Sequence, residues 1–107
     1  MHLKTHAIID FMNANIDRNI TLAHLALYAK LSPSHICYLF KKDIGASPLK
    51  LLKQLRLEKA CYLLQSTLLN IKEIRSAVGF NDESHFMRDF KMYYGLTPSQ
   101  YRRQYRA

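Results

Sequence analysis

The stretch Asn81-Asp-Glu-Ser-His-Phe-Met-Arg-Asp-Phe-Lys91 decides the fold, because a related stretch, Ser32-Pro-Ser-His-Ile-Cys-Tyr-Leu-Phe-Lys41, stands 50 residues before it. Both contain Ser-His followed by an apolar residue, and both end in Phe-Lys. The similarity continues outward on each side, in Leu22-x-x-Leu25 against Ile71-x-x-Ile74 and in Gly45-Ala-Ser47-Pro48 against Gly95-Leu-Thr97-Pro98. The chain therefore repeats one unit of two short helices.

Apolar residues recur at helical spacing along the whole chain, and no run alternates as a strand would. The three glycines and three prolines fall at predicted element ends. We predict an all-α fold of about seven helices. The predicted helices cover residues 3–15, 22–29, 33 to just before Gly45, 48–65, 71–78, 83–93 and a short last segment that begins after Thr97.

The repeat predicts three parts. Residues 1–46 form an N-terminal helix-turn-helix subdomain, residues 47–66 a linker helix, and residues 67–107 a C-terminal helix-turn-helix subdomain. At ~1.5 Å per residue the linker helix spans roughly 27 Å. Two reading helices on one face of B-DNA stand ~34 Å apart, so one chain could present both.

The formal net charge of +8 favours nucleic acid or an anionic membrane as partner, although an ordinary basic protein shows the same balance. Cys37 and Cys61 form no C-x-x-C pair, which predicts free thiols in a reducing compartment. No apolar run approaches the ~20 residues that span a bilayer, and no signal-peptide pattern opens the chain. We expect a bacterial-type cytoplasm and no membrane partner.

The second helix of each unit presents a polar face away from its apolar side. With Ile36 and Phe40 placed toward the core, Ser34, Tyr38 and Lys41 fall roughly opposite, and Cys37 and Lys42 lie at the flanks. When Phe86 and Phe90 of the second unit are likewise placed toward the core, the residues that face outward are Ser84, Arg88 and Lys91, flanked by Met87. Short side chains near a helix start and cations further along suit base edges and phosphates respectively.

Over essentially its full length the chain resembles the DNA-binding domain of the AraC/XylS family of bacterial transcription regulators. The residues that carry the resemblance are Leu22-x-x-Leu25-Ala26, Ser32-x-x-x-Ile36-x-x-x-Phe40-Lys41, Gly45, Pro48, Arg56-Leu57-x-x-Ala60-x-x-Leu63-Leu64, Ile71-x-x-Ile74, Gly79-Phe80-x-Asp82-x-Ser84-x-Phe86-x-x-x-Phe90-Lys91 and Gly95-x-Thr97-Pro98-x-x-Tyr101-Arg102. The resemblance implies sequence-specific binding to double-stranded promoter DNA and, in most members, activation through RNA polymerase.

Carried over by position, the resemblance implies base reading by Ser34, Cys37, Tyr38, Glu83, Ser84, Met87 and Arg88. The residues expected at phosphates are Thr21, His35, Lys41, Lys42, His85, Lys91 and Arg102. Cys37 and Tyr38 depart from the longer, more polar readers common in the family. We hypothesise that the first unit reads thymine methyl groups and groove shape, while Arg88 makes the main bidentate contact to guanine.

Arg75 and Asp89 also depart from the family pattern, since their counterparts in the first unit are Ala26 and Leu39. We predict an ion pair between them. The alternative is that Arg75 turns out to solvent or phosphate.

The competing function is an α-helical protein-interaction adaptor with a basic face. An enzyme is not expected, because no carboxylate pair, nucleophile–base spacing or phosphate-binding glycine loop is present. We expect no cofactor and no metal, since His2 and His6 have no third ligand nearby in the sequence. Members of the family often carry a sensing or dimerisation domain, and we expect this chain to be a fragment of such a regulator, with a stand-alone domain as the alternative.

Overall fold

The computed structural model describes residues 1–106, and within them it contains α-helices and no strand. The seven helices are α1 (Leu3–Ala14), α2 (Leu22–Ala29), α3 (Pro33–Asp43), α4 (Pro48–Ser66), α5 (Ile71–Ala77), α6 (Glu83–Tyr94) and α7 (Pro98–Tyr105). The all-α prediction is confirmed, and wherever both ends of a helix were predicted they agree to within one residue. No helix in the described part of the chain combines the length and the apolar character needed to span a membrane.

Local polar pairs fix where helices begin. At the start of α5 the Asn70 side chain accepts a hydrogen bond from the Glu73 backbone N–H at 2.8 Å. Glu73 Oε1 in turn accepts one from the Asn70 backbone N–H at 3.0 Å. Thr97 and Gln100 form the same reciprocal arrangement at the start of α7. Each pair satisfies two backbone N–H groups that have no partner within the helix, so both helices begin with a capping box.

The chain divides into two compact units, one from Met1 to Leu55 and the other from Arg56 onward. The first core is built mainly from Ile8, Met12, Leu25, Ile36, Phe40 and Leu52. The second is built mainly from Leu57, Ala60, Leu64, Ile74, Val78, Phe86 and Phe90. The start of α4 thus packs in the first core and its later turns in the second. The three-part division at residues 46 and 66 stays a prediction.

In the first unit a polar contact ties the end of α3 to the beginning of α1. The Thr5 hydroxyl donates to Asp43 Oδ2 at 2.7 Å, and the His2 backbone N–H donates to the same oxygen at 3.0 Å. These two donors hold the pKa of the Asp43 carboxyl below its usual value. Because Thr5 is fully buried, the contact anchors α3 against the interior face of α1.

In the second unit aromatic rings join α6 to α7. The Phe90 ring lies 4.8 Å from the Tyr94 ring and 5.5 Å, edge-on, from the Tyr101 ring, measured between centroids. Phe86 adds a further ring at 5.9 Å from Phe90. Tilted and edge-on pairs at these separations stabilise beyond the area they bury, so the buried side of α6 is firmly held.

Candidate nucleic-acid interface

The sequence of α3 both starts the helix and sets its outward face. The Ser32 hydroxyl accepts a hydrogen bond from the His35 backbone N–H at 3.1 Å. Pro33 occupies the first turn, where its missing N–H costs nothing. Ile36 and Phe40 are fully buried, and this turns the Tyr38 side chain outward, where it is 60% exposed.

Burial along α6 repeats that along α3 residue by residue. Residues 33–42 and residues 83–92 share one order: three exposed, one buried, one half-buried, one exposed, two buried and two exposed. The predicted base-reading positions Ser34 and Ser84, and Tyr38 and Arg88, are exposed in both helices, while Cys37 and Met87 are half-buried at the edge of the face. The two helices therefore present the same outward geometry with different side chains.

The start of α6 is fixed by Asp82, whose carboxylate accepts a hydrogen bond from the His85 backbone N–H at 2.8 Å. This bond lowers the pKa of Asp82, and the nearby His85 and Arg75 side chains lower it further. The predicted readers Glu83 and Ser84 lie in the first exposed turn. Arg88 follows one turn later with 59% of its side chain exposed.

Arg88 is partly held by its neighbour in the chain. Its Nε lies 3.3 Å from Oδ1 of Asp89, which is only 6% exposed at the position where α3 buries Leu39. A bond at Nε leaves the two terminal nitrogens of the guanidinium available, and these form the fork that can meet a guanine edge.

The predicted Arg75–Asp89 ion pair is wrong. Arg75 Nη1 instead donates to the Asn81 backbone carbonyl at 3.1 Å, because the turn before α6 brings that carbonyl within reach. Arg75 is half-buried and its Nε is enclosed without a hydrogen-bond partner, while its bond to Asn81 lies at the surface. The alternative of an arginine turned to solvent or phosphate stays a prediction.

Most of the residues predicted at phosphates are exposed on these same two helices. Lys41, Lys42 and Lys91 lie in the last turns of α3 and α6, and His35 and His85 are exposed near the helix starts. Cations near a helix C-terminus are also stabilised by the helix dipole, which gives these lysines a structural reason to be there as well.

Thr21 caps α2 in a reciprocal pair with a histidine. Its hydroxyl oxygen accepts from the His24 backbone N–H, and His24 Nδ1 accepts from the Thr21 backbone N–H, both at 3.1 Å. The hydroxyl proton of Thr21 remains able to donate to a phosphate.

Arg102 makes internal contacts that sequence reasoning did not anticipate. Its Nε donates to the Leu64 carbonyl at 3.0 Å and its Nη2 to the Thr67 carbonyl at 3.3 Å. Arg106 donates to the Thr67 carbonyl too. Burial lowers the pKa of the Arg102 guanidinium. These carbonyls end α4, so Arg102 joins α7 to the end of that helix, and its phosphate contact stays a prediction.

A shallow depression of about 500 Å³ runs along the outward face of α3. Its lining residues follow a helical stripe: Ser34, Cys37, Tyr38, Lys41 and Lys42. The Cys37 thiol is free and half-buried. The spacing of these residues predicts that they share one face of α3. It does not predict that the face is concave, because this depends on how the side chains pack.

Known proteins share this architecture. Residues 25–104 match the helix-turn-helix domain family. The lactose operon transcription activator of Staphylococcus xylosus is 34% identical over 100 residues, which cover 94% of this chain and 36% of that protein. The chain spans about a third of the length of the curated relatives it matches.

Two solved structures extend the comparison. A transcriptional regulator with an AraC-type DNA-binding domain from Chromobacterium violaceum is 33% identical, with a TM-score of 0.88 over 94% of this chain and 90% of that one. The DNA-binding domain of AdpA, solved with a target DNA, has a TM-score of 0.90 over 95% of this chain and 92% of that one; at 22% identity this likeness shows the fold alone. Together with the family match, these likenesses show that the chain belongs to the helix-turn-helix family of AraC-type DNA-binding domains of transcription regulators, a family of DNA binders rather than enzymes.

Proposed function

We propose that α3 and α6 each enter the major groove of double-stranded promoter DNA, so that one chain reads two segments of the same site. The observation that carries this proposal is the residue-by-residue match in burial between residues 33–42 and 83–92. Three of the exposed positions also hold the same residue in both helices, as Ser34 and Ser84, His35 and His85, and Lys41 and Lys91, although packing of the core does not require this. Helix-turn-helix proteins read bases from the first turns of such a helix.

Base reading is assigned to the exposed and half-buried side chains near the start of each helix. These are Ser34, Cys37 and Tyr38 on α3, and Glu83, Ser84, Met87 and Arg88 on α6. Among them Arg88 is the one cation, and its free terminal nitrogens suit the O6 and N7 acceptors of guanine. The lysines of the last turns, with His35, His85 and Thr21, are placed at phosphates, which set register without reading sequence.

We further propose that the parent protein activates transcription through contact with RNA polymerase and acts in the cytoplasm. The Staphylococcus xylosus relative is named as a transcription activator, which supports this role. Because the curated relatives are about three times as long as the matched segment, we also propose that a sensing or dimerisation domain accompanies this one in the parent.

Selection from a random duplex library tests the proposal. We expect enrichment of one sequence with two conserved segments, and an affinity that falls steeply with salt. Three lysines at phosphates alone contribute a slope of about −3 in log K against log salt. A library without any enriched sequence contradicts DNA reading and favours the adaptor, whose binding to duplexes would not depend on their sequence.

A further inference from the structure

We propose that the α3 face selects thymine through its C5-methyl group, so that the two units of one chain recognise different bases by different chemistry. The proposal rests on the proposed function, in which α3 lies in the major groove, and adds which base that helix prefers.

Of the seven exposed or half-buried positions on the two reading faces, three carry the same residue and four differ. They share Ser34 with Ser84, His35 with His85, and Lys41 with Lys91. They differ at the ends of the face, where Pro33 stands opposite Glu83 and Lys42 opposite Met92. They also differ in its middle, where Cys37 and Tyr38 stand opposite Met87 and Arg88. The Pro33 side chain has no group that can hydrogen-bond to a base, so the base preference of α3 must come mainly from Cys37 and Tyr38.

That middle pair gives α3 an apolar surface. The Tyr38 side chain is 60% exposed, and its ring lies 6.4 Å from the His35 ring, measured between centroids. The Cys37 thiol is half-buried beside it in the depression of about 500 Å³. Ser34, Cys37 and Tyr38 carry neither a guanidinium nor an amide, so none of them can make the bidentate contacts that identify guanine or adenine.

Thymine is the base that fits such a surface. Its C5-methyl group is the apolar group that the four standard bases present in the major groove. The depression is bordered by Lys41 and Lys42 and has no acidic residue in its lining. Lys41 and Lys42 can bind the DNA phosphates near a thymine whose methyl group lies in the depression.

Replacement of thymine by deoxyuridine tests the idea, because it removes the methyl group and leaves every hydrogen-bonding group of the base in place. The segment read by α3 is identified first, as the half of the selected site that Arg88→Ala leaves unchanged. Each thymine in both halves is then replaced singly, and affinity is measured by fluorescence anisotropy. We expect a loss of about threefold to fivefold for one or two thymines in the α3 half, and no comparable loss in the α6 half.

The variant Tyr38→Arg provides the converse test, because it gives α3 the residue that α6 carries at the same exposed position. We expect this variant to lose the penalty for deoxyuridine and to select guanine in the α3 half. A thermal melt equal to that of the parent chain confirms that the exposed substitution leaves the fold intact.

A selected site with no thymine in the α3 half, or one in which every deoxyuridine binds as well as thymine, overturns the inference while DNA reading by two helices stands. A library that yields no enriched sequence for the parent chain overturns both.

Discussion

Arg88 and Lys91 lie on the same outward face of α6, and their truncation should have different consequences. Arg88 has 59% of its side chain exposed and donates through Nε to Oδ1 of Asp89. Its replacement by alanine should leave the fold intact, which a thermal melt checks, although the buried Asp89 carboxylate loses one partner. The loss of a bidentate base contact should cost roughly 1–3 kcal/mol of binding to the selected duplex, which is about 5- to 150-fold in Kd.

Lys91→Ala is the matched control, since Lys91 is exposed on the same helix one turn later. It should weaken binding to all duplexes by a similar factor and reduce the salt slope by about 0.9. Fluorescence anisotropy with the selected duplex, and with duplexes changed at single base pairs, measures both effects across a series of salt concentrations. Uniform weakening of every duplex by Arg88→Ala, with a smaller salt slope, would show that Arg88 contacts only phosphate and would refute the base-reading role.

Three further substitutions follow from the contacts described. Asp43→Asn should lower stability at pH 7 and leave a smaller dependence on acid: the pKa of Asp43 is held down by Thr5, so its contribution is complete above the unfolded pKa of ~3.9 and is lost as pH falls through the folded pKa. In urea unfolding, the difference in free energy of unfolding between Asp43→Asn and the parent chain should be smaller at pH 3 than at pH 7; an equal difference at both pH values would contradict this. Lys30→Gly should raise the free energy of unfolding by about 0.5–1 kcal/mol, because Lys30 ends α2 with φ 57° and ψ 43°, a region that disfavours a side chain; a drop in the urea midpoint would oppose it. Asp89→Leu should free the Arg88 guanidinium and reduce discrimination at its base by roughly two- to tenfold, measured as the ratio of Kd values for matched and mismatched duplexes; an unchanged ratio would mean that Asp89 does not orient Arg88.

The helices could be predicted because their signals are local. Proline at the first turn of α3, the Asn70–Glu73 capping box and the glycine that ends α6 all act within a few residues of each other. Gly95 adopts φ +74°, which a glycine tolerates without strain. The repeat then allowed each signal in one unit to support its counterpart in the other.

Contacts between distant residues could not be predicted. The bonds from Thr5 and His2 to Asp43 join positions about forty residues apart, and no periodicity marks a single carboxylate as the partner of a threonine. Arg102 is a similar case, because its sequence suggests an exposed cation while the structure places it on the carbonyls that end α4.

The wrong ion pair has a different origin. The prediction of an Arg75–Asp89 pair rests on the replacement of two apolar residues of the first unit, Ala26 and Leu39. The turn before α6 instead offers Arg75 the Asn81 carbonyl, and Asp89 lies beside Arg88. Replacement of two apolar residues by opposite charges shows that both sites changed, but not that the two charges meet. The exposed faces themselves were predicted, since periodicity alone separates them from the buried side.

The measurement that tests the central claim most directly is the binding of the chain to its selected duplex with base pairs inserted between the two conserved segments. If one chain reads both segments, native mass spectrometry should find one chain per duplex. An insertion of about five base pairs, half a helical turn, should reduce affinity to that for random DNA, and about ten should not restore it. Two chains per site, or an affinity indifferent to the insertion, would contradict the account.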